Sequence, residues 1–274
     1  MSAIVELEEL ISSGIHFGHR VRSWNPKMKK YIFRKRNGIH IIDIKESIKG
    51  LVRAKRFIEH VVGQGEDVLF IGTKRQAAAL VQQESDSLKM PYVSERWLGG
   101  TLTNNTTLRK RLSRLDELDQ IRSESGVSLK RSKKEMASLN REWVKIHRNL
   151  NGIRHMEKMP GALVIIDINR EVNAVLEAKK LGIPVCALVD TDSDPELIDI
   201  VVPGNDDALK SITLFLKVIS DGVKSGMEKR KAISVAAAAA KEEEAKANVE
   251  KEEVKKETAS KPTLKTEVAP AEKK

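Results

Sequence analysis

The chain has 274 residues, enough for one substantial core, with a net charge of +10 and only 4% aromatic residues. A pI near 9.5 favours a polyanionic partner. The single Cys186 excludes a disulfide framework, and no apolar run reaches the ~20 residues of a membrane span.

The start is acidic at Glu6, Glu8 and Glu9 and lacks the basic, apolar, small order of a signal peptide, so a cytosolic protein is expected. Apolar residues at 4, 7, 10 and 11 predict a short amphipathic helix over Ile4–Ser13, closed by Gly14. Next comes a basic arm. Arg20, Arg22, Lys27, Lys29, Lys30, Arg34, Lys35 and Arg36 occur with no acidic residue among them, interleaved with Trp24, Tyr31 and Phe33. Asn25-Pro26 forbids a continuous helix there. A basic run is usually a solvated face. The rings favour nucleic acid instead, because rings and guanidinium planes stack on splayed bases while lysines track phosphate.

Ile39–Ile44 reads as a buried strand and Ser47–Val62 as a helix with Ile48, Leu51, Val52, Ile58, Val61 and Val62 inward. Val68–Ile71, Leu163–Ile166 and Val185–Val189 are further runs rich in β-branched residues, each followed by a helical pattern. That alternation predicts an α/β fold: a doubly wound, mostly parallel sheet covered on both faces.

Pro91–Thr107 fits neither a surface loop nor a core strand. Arg96 and Trp97 offer a forked cation and a ring, Gly99-Gly100 permits close backbone approach, and Thr101, Thr103, Asn104, Asn105, Thr106 and Thr107 can cap a helix or bond phosphate. A Gly-Gly turn with a polar helix cap explains the local geometry, but not the crowding of Arg, Trp and short polar residues. The stretch reads as a hinge to a helical insertion over 107–159. Leu108, Leu112, Leu115, Leu118 and Ile121 line one helix, which Gly126 is expected to end. Ser132 to Glu135 has capping-box spacing, and Met136, Leu139, Trp143, Ile146 and Leu150 follow the period of a coiled-coil seam, with Trp143 read as core. An antiparallel coiled-coil hairpin is therefore expected between two halves of an α/β body, 1–106 and 160–226. The low-complexity segment 227–274 has almost nothing to bury, so disorder is expected there beyond a transient helix over 228–247.

Charge is segregated. Of the net +10, residues 20–36 carry +8, 109–158 carry +7 and 227–274 carry +2, which leaves −7 on the rest of the chain. Two segments make the protein basic, and these are the ones expected to face nucleic acid.

The segments F-I-G-T-K-R-Q-A (70–77) and R-W-L-G-G-T-L-T-N (96–104) resemble the second-protein family of the bacterial small ribosomal subunit. H-F-G-H (16–19), W-N-P-K-M (24–28), N-G-I-H-I-I-D (37–43) and I-P-V-C-A-L-V-D-T (183–191) add to the resemblance, which runs from about Ile4 to Gly222. It implies a flavodoxin-like body and a non-enzymatic cytoplasmic protein that binds small-subunit ribosomal RNA. It also implies neighbouring ribosomal proteins as partners, the large first protein of that subunit among them. Residues and resemblance together give an RNA-facing set: Arg20, Arg22, Trp24, Lys27, Lys29, Lys30, Arg34, Lys35, Arg36, Lys74, Arg75, Arg96, Trp97, Thr103, Asn104, Arg109, Lys110 and Arg111. No cofactor is expected.

The rival is an enzyme. Ala187–Asp194 ends an apolar strand in Asp190-x-Asp192, with Asp206-Asp207 downstream, as in haloacid-dehalogenase-like phosphotransferases that use magnesium. Asp194 stands where that family has a small apolar residue or Thr, and the motif comes late in the chain. An EF-hand reading of the same stretch fails at Pro195 and Val201. Relatives in the resembled family usually carry Asn and Cys at 192 and 193, where this chain has Asp and Ser, which weakens an RNA contact from that loop. His16 and His19 offer two metal ligands at i,i+3, too few for a site.

Overall fold

A computed structural model describes residues 7–123 and 132–232. Helix α1 (Leu7–Ser13) leads into strands β1 (Phe17–Arg20), β2 (Ile32–Arg36) and β3 (Ile39–Ile42), which form an antiparallel sheet in the order β1-β3-β2. Asn37 and Gly38, both at positive φ (50° and 74°), supply the tight turn that joins β2 to β3. Asp43 then caps α2 (Ile44–Gly63) by accepting from Lys45 N.

The second sheet uses β4 (Val68–Ile71), β5 (Tyr92–Val93), β6 (Ala162–Ile166), β7 (Val185–Val189) and β8 (Ile200–Pro203), all parallel, in the order β5-β4-β6-β7-β8. Renumbered by first appearance, that order is 2-1-3-4-5, the flavodoxin-like winding. Its helices are α3 (Arg75–Leu88), α4 (Asn105–Ser123), α5 (Lys133–Leu150), α6 (Val172–Leu181) and α7, helical from 209 through 232.

Strand alternation divides the core. Val68 and Phe70 face one side, with α2, α3 and α7, while Leu69 and Ile71 face the other, with α6 and the inner ends of α4 and α5. Helix α2 lies unusually close to its neighbours. A Cβ on Gly50 would sit 2.8 Å from Val201 O, and one on Gly226 would sit 2.8 Å from Glu59 O. Helix α4 packs against α5 through Leu112, Leu115 and Leu118, with Leu139, Trp143, Ile146 and Leu150 opposite. Arg114 pairs with Glu142 (3.1 Å), and Trp143 donates to Asp119 (2.7 Å) while Arg122 covers its ring (3.6 Å).

Two expectations change. The strand near 39 belongs to a separate antiparallel sheet, because the Asn37-Gly38 turn folds it back on β2 instead of sending it into the body. Helix α7 runs past Gly226, with Met227 packed on the core and Lys229 paired with Glu59 (2.6 Å). Residues 4–6, the 124–131 connection holding Gly126, and everything after 232 lie outside the described residues.

Candidate nucleic-acid interface

The basic arm is the antiparallel sheet with its two short 3-10 turns, Val21–Ser23 and Pro26–Tyr31. Proline at the start of the second turn fixes its entry, and the Asn25 side chain caps it through Lys27 N (3.0 Å). Met28 points inward and is fully buried, which leaves its neighbours Lys29 and Lys30 outside. Strand β2 is exposed along nearly its whole length, so Phe33, Arg34, Lys35 and Arg36 all meet solvent. Phe33 is 67% exposed with the Arg34 guanidinium 5.7 Å above its ring, and Lys30 lies 4.8 Å from the Tyr31 ring. Trp24 is half-buried against His40, ring centroids 5.1 Å apart. Arg20, Arg22, Lys29, Lys30, Arg34, Lys35 and Arg36 make no ion pair among the described residues. Lys27 differs: it bridges Asp194 (2.8 Å) and Glu196 (2.5 Å).

The arm is stitched to the carboxyl ends of β7 and β8. His19 N donates to Thr191 Oγ1 (2.8 Å), Asn25 N to Thr191 O (2.8 Å) and Asn205 N to Ile15 O (3.0 Å).

At the same edge sits a crowd of charge. Lys74 follows β4, is only 14% exposed, and pairs with Asp206 (2.8 Å), Asp207 (2.6 Å) and Asp167 (3.4 Å). Burial lowers its pKa, but the carboxylates outweigh burial and raise it. Asp206 is pushed up to about 7, by burial first and then by repulsion from Asp190. His19 Nδ1 lies 3.1 Å from Asp190 Oδ2, and this neighbour outweighs burial and raises its pKa to about 9. His19 can share a metal ion with Asp190 and Asp192, or with Asp206 and Asp207; His16 belongs to neither group and packs at a tilt against the Phe17 ring. Thr73 donates to the buried Glu171, and Arg170 Nε donates to Thr73 Oγ1 (2.8 Å).

The 96–111 stretch is built around one carboxylate that the sequence reading passed over. Glu177 on α6 accepts from Trp97 Nε1 (3.0 Å), Gly100 N (2.8 Å), Leu102 N (3.0 Å), Thr103 N (3.2 Å) and Thr103 Oγ1 (3.2 Å). Burial raises its pKa, yet these donors prevail and hold it below the ordinary carboxylate range. Trp97 is 7% exposed and packs in the core, so its ring is no open stacking face. Arg96 is exposed and without a partner among the described residues. Asn104 Oδ1 caps α4 through Thr107 N (3.4 Å), Thr103 is exposed, and Arg109 reaches the Glu157 carbonyl. Arg75, Lys110 and Arg111 are exposed. Arg75 opens α3, apart from the Lys74 network.

The family profile described as "Ribosomal protein S2" matches residues 10–226. The chain belongs to the ribosomal protein S2 family. It is 51% identical over 220 residues to "Small ribosomal subunit protein uS2" of Rhodopirellula baltica, covering 80% of this chain and 84% of that protein. Proteins of the same description from Streptomyces coelicolor (48% over 225 residues; 82% and 73%) and Mycolicibacterium vanbaalenii (45% over 250; 91% of each) are similar too.

Members of the S2 family are structural ribosomal proteins and not enzymes, which removes the phosphotransferase reading. The geometry agrees with that. Asp190 is 1% exposed, with Oδ1 accepting from Thr191 N (2.5 Å) and Oγ1 (3.1 Å) and Oδ2 lying 3.1 Å from His19 Nδ1, so it presents no open carboxylate oxygen to a phosphate.

The sequence reading also missed the hairpin of the arm, although Asn37-Gly38 is the strongest short signal for one. For Glu177 there was no comparable signal, since it lies 70–80 residues from the donors it gathers.

Proposed function

We propose that this chain is a structural component of the small ribosomal subunit that binds ribosomal RNA and supports subunit assembly. The observation that carries the reading is the arm: seven exposed Arg and Lys without carboxylate partners, interleaved with Phe33, Tyr31 and Trp24. Cations left free in this way are available to phosphate, and the rings to unpaired bases. Exposed Arg96, Lys110 and Arg111 form a second RNA-facing set at the start of the α4–α5 pair, which we read as a coiled-coil hairpin inserted in the α/β body. Lys74 and Lys27 spend their charge within the protein, and Trp97 its ring, so these contribute to the shape of the interface rather than to contact.

Leu7, Phe17, Phe33, Ile39 and Ile48 line one apolar groove beside the arm. We assign this groove to a neighbouring protein of the subunit, for which the large first protein is a candidate. The cytoplasmic ribosome is the site of action.

Equilibrium binding to small-subunit ribosomal RNA across salt tests the reading. Neutralising about six phosphates gives a log–log slope near −4 to −5. A flat dependence between low and physiological salt would refute RNA binding by these cations.

A further inference from the structure

We infer that Glu177 is a positioning residue for RNA recognition: it holds the 97–103 loop so that Arg96 and the start of α4 meet the RNA in a fixed relation. This rests on the RNA-binding reading above.

The argument is geometric. Glu177 belongs to α6, which is anchored on the sheet through Ala174, Val175 and Ala178. Its two oxygens divide the loop between them. Oε1 takes Trp97 Nε1 and Gly100 N, while Oε2 takes Leu102 N, Thr103 N and Thr103 Oγ1. Gly100 makes this wrap possible, with φ at 87°, where a side chain is strained. The fixed stretch is bounded by Arg96 on one side and by Asn104, the cap of α4, on the other. One carboxylate on a rigid helix therefore sets the distance between an unpaired guanidinium and the helix that carries Lys110 and Arg111 on its first turns. Glutamine cannot replace it: its amide nitrogen would present hydrogens to N–H donors and satisfy only one side of the loop. A bound group held in advance gives up less freedom on association, so loosening the loop weakens recognition even when every cation is retained.

The test is a double-mutant cycle on the full chain, with affinity for small-subunit ribosomal RNA measured at one salt concentration and folding followed by thermal melting. In the native background Arg96→Ala is expected to weaken binding roughly tenfold, the scale of one charge-assisted hydrogen bond. In the Glu177→Gln background it should cost less than about twofold, because an untethered Arg96 contributes little. Arg36→Ala, on the separate arm, should cost the same in both backgrounds. Equal cost of Arg96→Ala in both backgrounds would overturn the proposal and leave Glu177 a stabilising residue only. If Glu177→Gln fails to fold, Glu177→Asp takes its place in the cycle, keeping the charge with a shorter reach. Failure of both to fold also overturns the proposal, since the residue is then required for the fold itself. Should the native protein bind this RNA without salt dependence, and neither Arg36→Ala nor Arg96→Ala weaken it, the RNA reading fails instead, and the two failures remain distinct.

Discussion

His19 and Asp206 are two residues at which pH acts on this fold between mild acid and mild alkali. Asp190 holds the His19 pKa near 9, above its ordinary 6.5, so the imidazolium contributes stability that is complete below pH 6.5 and is lost as pH rises through 9. Asp206 is shifted the same way by burial and by Asp190, so its neutral form contributes stability that disappears as pH rises through about 7. The Asp206 contribution is therefore lost between about pH 4 and 7, and that of His19 between about 6.5 and 9. Thermal melting between about pH 5 and 9 should show a falling midpoint. For His19, which is partly exposed, the contribution is of the order of 1–2 kcal/mol after solvent screening. In His19→Asn the decline between about pH 6.5 and 9 should flatten, while Asp206→Asn should remove the part of the decline that lies below about pH 7. A midpoint constant over that range would contradict this assignment.

At the scale of elements, glycine lets two helices approach backbone to backbone. Gly222 and Gly226, one turn apart on α7, bring it against the backbone of α2 at Lys55 and Glu59. Leucine at 226 would push into Glu59 O and Val62, an overpacking that costs about 1–3 kcal/mol. The melting midpoint of Gly226→Leu should fall by roughly 2–12 °C, on about 2–4 °C per kcal/mol in a domain of this size, and an unchanged midpoint would mean that α7 is not seated on α2.

In the sequence nothing marks these glycines as points of contact, and only the neighbouring helix explains them. The strands rich in β-branched residues were legible because burial on both faces leaves no polar alternation to confuse the reading. Strand β5 was not, having only Tyr92 and Val93. β8 was also missed, and β3 was found but given to the wrong sheet, because pairing partners are set by turns and topology, not by periodicity. The candidate site divides in the same way. The exposed cations of the arm could be read from composition alone, whereas Lys74 looked equally free until folding brought Asp167, Asp206 and Asp207 to it.

For the whole molecule, the segregation of charge becomes a division of surfaces. An acidic body carries a basic arm at one edge and a basic helical pair elsewhere, so the proposed RNA affinity and the stability of the core are expected to respond to different substitutions. The links joining arm to body also impose an order in time. Residues 15–36 leave a synthesising ribosome early, but the groups that tie them down at Ile15, His19 and Asn25, namely Asn205 and Thr191, come late. At ~5–20 residues per second the arm waits roughly 10–30 s for its support. A chain stopped at Leu181 should therefore expose the arm to protease, while a chain stopped at 232 should protect it, and equal protection would refute the dependence. On the RNA-binding reading proposed above, competence arrives close to the completion of the polypeptide, and an unfinished nascent chain is poorly equipped to hold the RNA proposed as its partner.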